Sequence, residues 1–311
     1  MKIRKAVITA AGKGTRQYPA TNSVQKELFP LVDRDGITKP TIQIIAEQAL
    51  QSGIEQICIV VQPGGEKQFR SHFVGLGADE KHLFANKKWG LKQSDLLDQL
   101  HDSITYLPQT QQEGYGHAVY CAREWVGDEP FLLMLGDHVY ISASQLSCTQ
   151  QLLQAFSRYQ KSVYAIKQTP AELIYLFGTV TGERIDQDPP AYQLTRIVEK
   201  PDVKYAREHL RVEGLPADTF LSFFGMHVLT PTIFTILENH IRNNIRQNNE
   251  IQLTTAQAEL CTQEGTIGVE VDGQRLDMGT PLGYIETQIA LAMSGAFAME
   301  TERFFQRHAK H

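Results

Sequence analysis

Apolar and polar positions follow two rhythms in the first half of the chain. Ala6-Val7-Ile8-Thr9-Ala10 is a short apolar run that stops at a glycine-rich turn, the mark of a buried strand. From about Thr41 to Gln51 the apolar residues return at helical spacing, with Ile42, Ile45, Ala46 and Ala49 on one face and Gly53 near the end. Residues 56–62 read as a second strand, closed by Pro63-Gly64-Gly65. Strand, helix, strand in that order predicts a parallel pair joined by a right-handed crossover. The charged stretch 75–102 is expected to be helical and peripheral, followed by a strand at 103–107 and a helix opening near Gly116. Phe131-Leu132-Leu133-Met134-Leu135 is almost purely apolar, the pattern of a central parallel strand covered on both faces, and it ends at Gly136-Asp137.

Beyond about residue 160 the rhythm changes. Strands are expected at 162–167, 192–199, 220–229 and 266–271, and helices at about 231–243, 254–263 and 281–293. Residues 186–190 read as a polar, proline-containing loop. No internal repeat, low-complexity tract or clear linker interrupts the chain. One α/β domain (1–311) built on a mixed sheet therefore fits better than two domains, with parts at 1–160, 161–280 and 281–311.

Composition narrows the partners. Apolar residues make up 42% and charged residues 21% of the 311 positions, ordinary for a globular chain with a sizeable core. A formal net charge of -5 argues against a nucleic-acid binder, whose affinity comes from excess Lys and Arg on phosphates. It leaves room for a nucleotide, which needs only a few local cations. Four cysteines, far apart and without CxxC spacing, predict neither a zinc site nor a disulfide framework. The ten histidines show no metal-ligand spacing. The apolar run after Met1-Lys2-Ile3-Arg4-Lys5 is too short for a signal peptide, and none reaches membrane-spanning length. A cytoplasmic enzyme with no membrane partner is the expectation.

The candidate chemistry begins at the first turn. Glycines there let backbone N–H groups approach anionic oxygens closely. A dinucleotide-binding GxGxxG would need glycine where Gln17 stands, and the P-loop pattern is absent. Alone, Gly12-Lys13-Gly14-Thr15-Arg16 is equally well a structural turn. Arg16 and Lys26 shift the balance, because two cations around a glycine loop suit a triphosphate: Arg offers bidentate geometry and Lys a point charge. His117 is expected to be structural rather than catalytic.

The run from Lys5 through Gly12-Lys13-Gly14-Thr15-Arg16, Pro19-Ala20-Thr21 and Lys26-Glu27-Leu28 to Pro30-Leu31-Val32-Asp33 resembles the signature of bacterial UTP–glucose-1-phosphate uridylyltransferases, sugar-phosphate nucleotidyltransferases. Gly114-Tyr115-Gly116-His117-Ala118-Val119, Gly127-Asp128-Glu129-Pro130, Gly136-Asp137, Val198-Glu199-Lys200-Pro201, Gly225, Glu250-Ile251-Gln252-Leu253-Thr254 and Asp277-Met278-Gly279 recur in that family's order. The similarity spans nearly the whole chain and is weakest from about Gly64 to Asp102.

The resemblance implies a Rossmann-like nucleotidyltransferase fold with a central mixed, mostly parallel sheet, a nucleotide-binding part (1–160), a sugar-binding part (161–280) and a C-terminal helical segment (281–311). It implies Mg2+ on Asp137 and Asp277, and a nucleotide set of Ala10, Ala11, Gly12, Gly14, Thr15, Gln109, Gly114 and Asp137. Gln109 would read the pyrimidine edge, which an amide can do by donating to one ring position and accepting from another. Gly178, Glu199, Lys200 and Gly225 would face the sugar, and Arg16, Lys26 and Lys200 would be catalytic. The implied reaction joins UTP and glucose 1-phosphate into UDP-glucose and pyrophosphate in a homo-oligomer, dimer or tetramer. Alternatives are the same chemistry on another pair, such as dTTP with glucose 1-phosphate, or a silent sugar-nucleotide-binding protein. The chain departs from the pattern at Gln25 (usually proline), Asn22, Thr110 and Met226, and Asp35 to Lys39 reads as a small insertion.

Overall fold

In the computed structural model, which describes residues 2–308, the first strand shows why its run is apolar throughout. Ala6, Ile8 and Ala10 pack into a core on one face of a sheet, with Ile42 and Ile45 of the helix Thr41–Gln51. Val7 points the other way, into a second core with Val119, Ile233 and Leu237. With both faces covered, alternation has no reason to appear.

The strands are β1 Lys5–Ala10, β2 Pro30–Val32, β3 Thr38–Pro40, β4 Gln56–Val61, β5 Ile104–Pro108, β6 Phe131–Leu135, β7 His138–Ser142, β8 Val163–Pro170, β9 Gly178–Gln187, β10 Pro190–Glu199, β11 Thr219–Leu229, β12 Thr266–Glu270 and β13 Gly273–Asp277. Nine form one sheet in the order β5-β4-β1-β6-β11-β8-β12-β10-β9. Strands β5, β4, β1 and β6 are mutually parallel, as are β8 and β12, and β10 and β11 alone run against the rest. The fold is thus a mixed α/β sheet in which most strands share one direction.

Three local segments take definite form. The stretch Asp35 to Lys39 is the turn and return strand of the β2–β3 hairpin, with buried Lys39 Nζ 2.8–2.9 Å from Asp33, Asp35 and Glu47. Residues 186–190 are the ends of two ten-residue strands and the tight turn between them, not an extended loop. The segment 75–102 is split into helices Ala78–Leu83 and Lys88–Ser103.

Two elements position the site. Strand β13 pairs antiparallel with β7 as a small separate ladder, Asp277 opposite His138. That ladder rests on a satellite core of Leu31, Ile44, Val139, Ile141 and Leu291, which also ties in the helix Pro281–Met293. Among the described residues no helix is long and apolar enough to cross a membrane. Met1 and residues 309–311, the end of the expected C-terminal segment, lie outside the described residues.

Candidate active site

Parallel strands β1 and β6 both end at one edge, so the turns after Ala10 and Leu135 lie side by side, where α/β sheets hold their ligands. Gly136 makes this approach possible. Its N–H donates to Thr9 O at 2.9 Å, and a Cβ there would stand 2.7 Å from that same oxygen. A cleft of about 460 Å³ opens beside the turns, lined by Ala11, Gly12, Lys26, Gln109, Gly114 and Asp137 of the expected residues. Thr9, Lys13, Gln112, Tyr115, Ala118, Leu135 and Glu250 complete its walls.

The glycine loop is held from three sides. Gln62 Nε2 donates to Gly12 O at 2.7 Å and Gln112 Nε2 to Ala11 O at 3.2 Å. Buried Gln17 donates to Met278 O at 2.8 Å, tying the loop to the segment after β13. The residue that excludes a dinucleotide fingerprint thus has a job of its own. Gly14 adopts a left-handed φ of 63°, where a side chain would also strike Thr21.

Lys26 lies beneath this loop, buried, with Nζ 2.7 Å from Asp137 Oδ2 and 2.5 Å from Glu27 Oε1. Burial opposes the lysine's charge, but Asp137 and Glu27 outweigh it and hold Lys26 above its ordinary value. Burial likewise opposes charge on Asp137, yet Lys26 and His138 hold its carboxyl well below the usual carboxylate range. Glu27 goes the other way, pushed up by burial despite Lys26. His138 Nδ1 is 2.8 Å from Asp137 Oδ1.

The β7–β13 ladder brings Asp277 to Asp137, with Met278 N–H donating to Asp137 O at 3.0 Å. Ligand atoms of Asp137, His138 and Asp277 all lie within 4.8 Å of one another. Arg16 Nη1 stands 3.8 Å from Asp277 Oδ2, on the open side. Two hard carboxylates, Asp137 buried and Asp277 partly open to solvent, beside a phosphate-type loop fit a divalent cation. His138 is the neighbour that sequence reasoning missed.

At the inner end of the cleft, Gln109 Nε2 lies 3.0 Å from Gly114 O and 3.2 Å from His117 Nδ1, so the histidine braces the glutamine. Burial lowers the His117 pKa. Tyr115, another residue the sequence reading passed over, has its buried hydroxyl in the field of both Asp137 and Glu199.

The sugar-side residues lie outside the cleft's lining, on the far half of the sheet. Gly178 pairs across the ladder with Glu199, and a Cβ on it would come within 2.7 Å of Phe223. Thr254 Oγ1 donates to Glu199 Oε2 at 2.6 Å. Lys200, at a left-handed φ of 45°, turns out of the strand with Nζ 3.6 Å from Glu199 Oε1. Gly225 interrupts the β11–β8 ladder with φ 96°, its carbonyl accepting from the Tyr140 hydroxyl at 2.9 Å. Ala10, Gly14, Thr15, Arg16 and Asp277 flank the cleft without lining it. A larger hollow of about 560 Å³ near Lys39, Glu47 and Ser142 has no glycine loop, and its lysine is already neutralised by three carboxylates.

The chain is similar to known proteins along most of its length. The sequence pattern of the nucleotidyl transferase family matches residues 5–293. The UTP–glucose-1-phosphate uridylyltransferase of Bacillus subtilis (strain 168) is 34% identical over 297 residues, covering 94% of this chain and 92% of that protein. That of Streptococcus pneumoniae serotype 4 is 36% identical over 295 residues, with 94% and 91% covered. Among solved structures, a UTP-bound UGPase from Acinetobacter baumannii superimposes with a TM-score of 0.79 at 26% identity, over 98% of this chain and 99% of that one. A UDP-glucose pyrophosphorylase complexed with UDP-glucose gives 0.74 at 29% identity, over 93% and 98%. The chain belongs to the nucleotidyl transferase family, among relatives named UTP–glucose-1-phosphate uridylyltransferases.

Proposed function

We propose that this protein transfers a uridylyl group from UTP to glucose 1-phosphate, giving UDP-glucose and pyrophosphate. The observation that carries this is the buried Lys26–Asp137 pair under the glycine loop with Asp277 beside it, in a chain aligned along 94% of its length with uridylyltransferases.

The sugar phosphate oxygen attacks the α-phosphorus in line, and the bond to the β-phosphate oxygen breaks with no covalent enzyme intermediate. Catalysis is then positioning and charge neutralisation. Backbone amides of Ala11, Gly12, Gly14 and Thr15, after Ala10, hold the triphosphate, with Arg16 and Lys26 neutralising the departing pyrophosphate. Gln109 and Gly114 hold the base end. Glu199 accepts from sugar hydroxyls, Gly178 and Gly225 shape the sugar side, and Lys200 aligns the nucleophile. Asp137 and Asp277 would hold Mg2+, which when bound supplies charge neutralisation to both phosphates. We further propose that residues 1–160 form the nucleotide side and 161–280 the sugar side of one domain, and that the protein is a cytoplasmic homo-oligomer.

The test is pyrophosphate release with Mg2+ across a grid of nucleotides and sugar phosphates. UTP with glucose 1-phosphate should turn over fastest. Faster turnover with dTTP would overturn the nucleotide assignment, and UDP-glucose binding without any pyrophosphate release would leave a binding protein.

A further inference from the structure

Lys26 is seated between two carboxylates, and the seats differ. Glu27 is fully buried; Oε1 meets Lys26 and Oε2 meets no donor. Asp137 has neighbours on both oxygens, Lys26 Nζ on Oδ2 and His138 Nδ1 on Oδ1. The oxygen of Asp137 that faces Lys26 therefore carries a full positive charge at contact distance. A second cation cannot share it, because repulsion in a buried site is poorly screened. A divalent ion that takes this oxygen must drive Lys26 off it.

Lys26 can yield without leaving its place. Its stem runs along the underside of the glycine loop: a Cβ on Gly12 would stand 3.5 Å from Lys26 Cε and 3.9 Å from Nζ, and one on Gly14 3.5 Å from Cδ. An anion lying on that loop is within reach of Nζ while Glu27 still holds the ammonium from the other side. Glu27 is a positioning residue here, acting on the reaction only through Lys26.

We infer that Lys26 is an exchangeable counter-ion. It occupies the cation oxygen of Asp137 and gives it up when a polyphosphate on the glycine loop offers a replacement anion, with Glu27 as the fixed seat throughout. The divalent ion and the triphosphate then bind cooperatively through one ammonium group rather than independently. This inference rests on the reading of Asp137 as a cation ligand.

The test is Mn2+ binding to the whole protein, followed by the paramagnetic resonance of the free ion. Without nucleotide, wild type should bind Mn2+ weakly, and Lys26→Met should bind it about ten-fold more tightly or better. Arg16→Met removes the same charge 3.8 Å from Asp277, from a side chain already mostly in solvent, and should gain about three-fold at most. Equal gains in the two variants would reduce the effect to a general field and overturn the exchange. So would wild type binding Mn2+ as tightly as Lys26→Met, a result that leaves Asp137 standing as a ligand. Should Lys26→Met fail to fold, the double variant Lys26→Met/Glu27→Gln removes the stranded carboxylate and carries the same expectation. If no variant binds Mn2+ even with UTP present, the cation reading itself falls, and this inference with it.

Discussion

Gly279 sits where the two aspartates meet. A Cβ there would stand 2.8 Å from Asp137 Oδ2, 2.9 Å from Asp277 Oδ1 and 2.9 Å from Arg16 Nη2. Its own N–H donates to Asp277 Oδ1 at 2.8 Å, while Lys26 and His138 fix Asp137, so neither carboxylate has room to retreat. Gly279→Ala should push them apart and lower kcat/KM about 100-fold, the size expected when reacting groups shift by about 1 Å. Pyrophosphate release gives that number, and an unchanged melting temperature would show that the fold is intact. At this scale the residues themselves single out Arg16 and Lys26, two cations around a glycine turn, while Asp137, Lys200 and Asp277 drew their expected roles from the resemblance to the family. Neither gives a role to Gln17, His138 or Gly279. Gln17 and Gly279 matter for distant groups, Met278 O and Asp137, and His138 for the turn of its ring onto the neighbouring Asp137, none of which local sequence marks.

The β7–β13 ladder is the element that makes the site, and it is the one the hydrophobic rhythm hides. Its strands have five residues each and pair across more than a hundred positions of chain, so neither has a hairpin partner to announce it. Strand β9 escaped notice for another reason: its sequence, Gly-Thr-Val-Thr-Gly-Glu-Arg-Ile-Asp-Gln, is largely polar because much of its length is solvated. By contrast, the runs covered on both faces, β1, β4 and β6, were legible at once. The ladder's dependence on its satellite core gives a test at this scale. Val139→Ala removes two buried methyl groups from that core and should cost about 2 kcal/mol. Val269→Ala in β12 removes the same groups from a core far along the sheet, at similar cost. Only Val139→Ala should also weaken Mn2+ binding, because only it loosens the strand pair that sets the distance between Asp137 and Asp277. Equal binding in the two variants, measured at matched stability by titration, would mean that the ladder does not govern the site.

For the molecule as a whole, two buried histidines make acid a destabilising direction, while burial of the Glu27 and Glu47 carboxyls, pushing both up, works against them. Burial lowers His72 to about 4 and His227 to about 3, from an ordinary 6.5. As pH falls through 6.5 the unfolded chain takes up these protons and the folded chain does not. Stability from the neutral imidazoles is therefore complete above 6.5, falls steadily to about 4, and for His227 continues to fall to about 3. In urea midpoints across that window His72→Gln should lose less stability per pH unit of acidification than wild type; an unchanged pH dependence would refute the assignment. The proposed homo-oligomer has a candidate surface in the last described helix. The helix Ala298–His308 has no buried residue, and it leaves Met299, Phe304 and Phe305 in solvent beside Phe297 and Met293. An eleven-residue helix gains little stability by itself, so such a face needs a cover. In the proposed homo-oligomer a second copy crossing this helix about a two-fold axis would cover Phe304 and Phe305. Phe304→Glu with Phe305→Glu should then reduce the mass found by light scattering to that of a single 35.0 kDa chain. Turnover should persist in the separated chains, since Lys26, Asp137 and Asp277 all come from one copy. A wild-type protein already at the single-chain mass would remove the homo-oligomer from the proposal without touching the reaction.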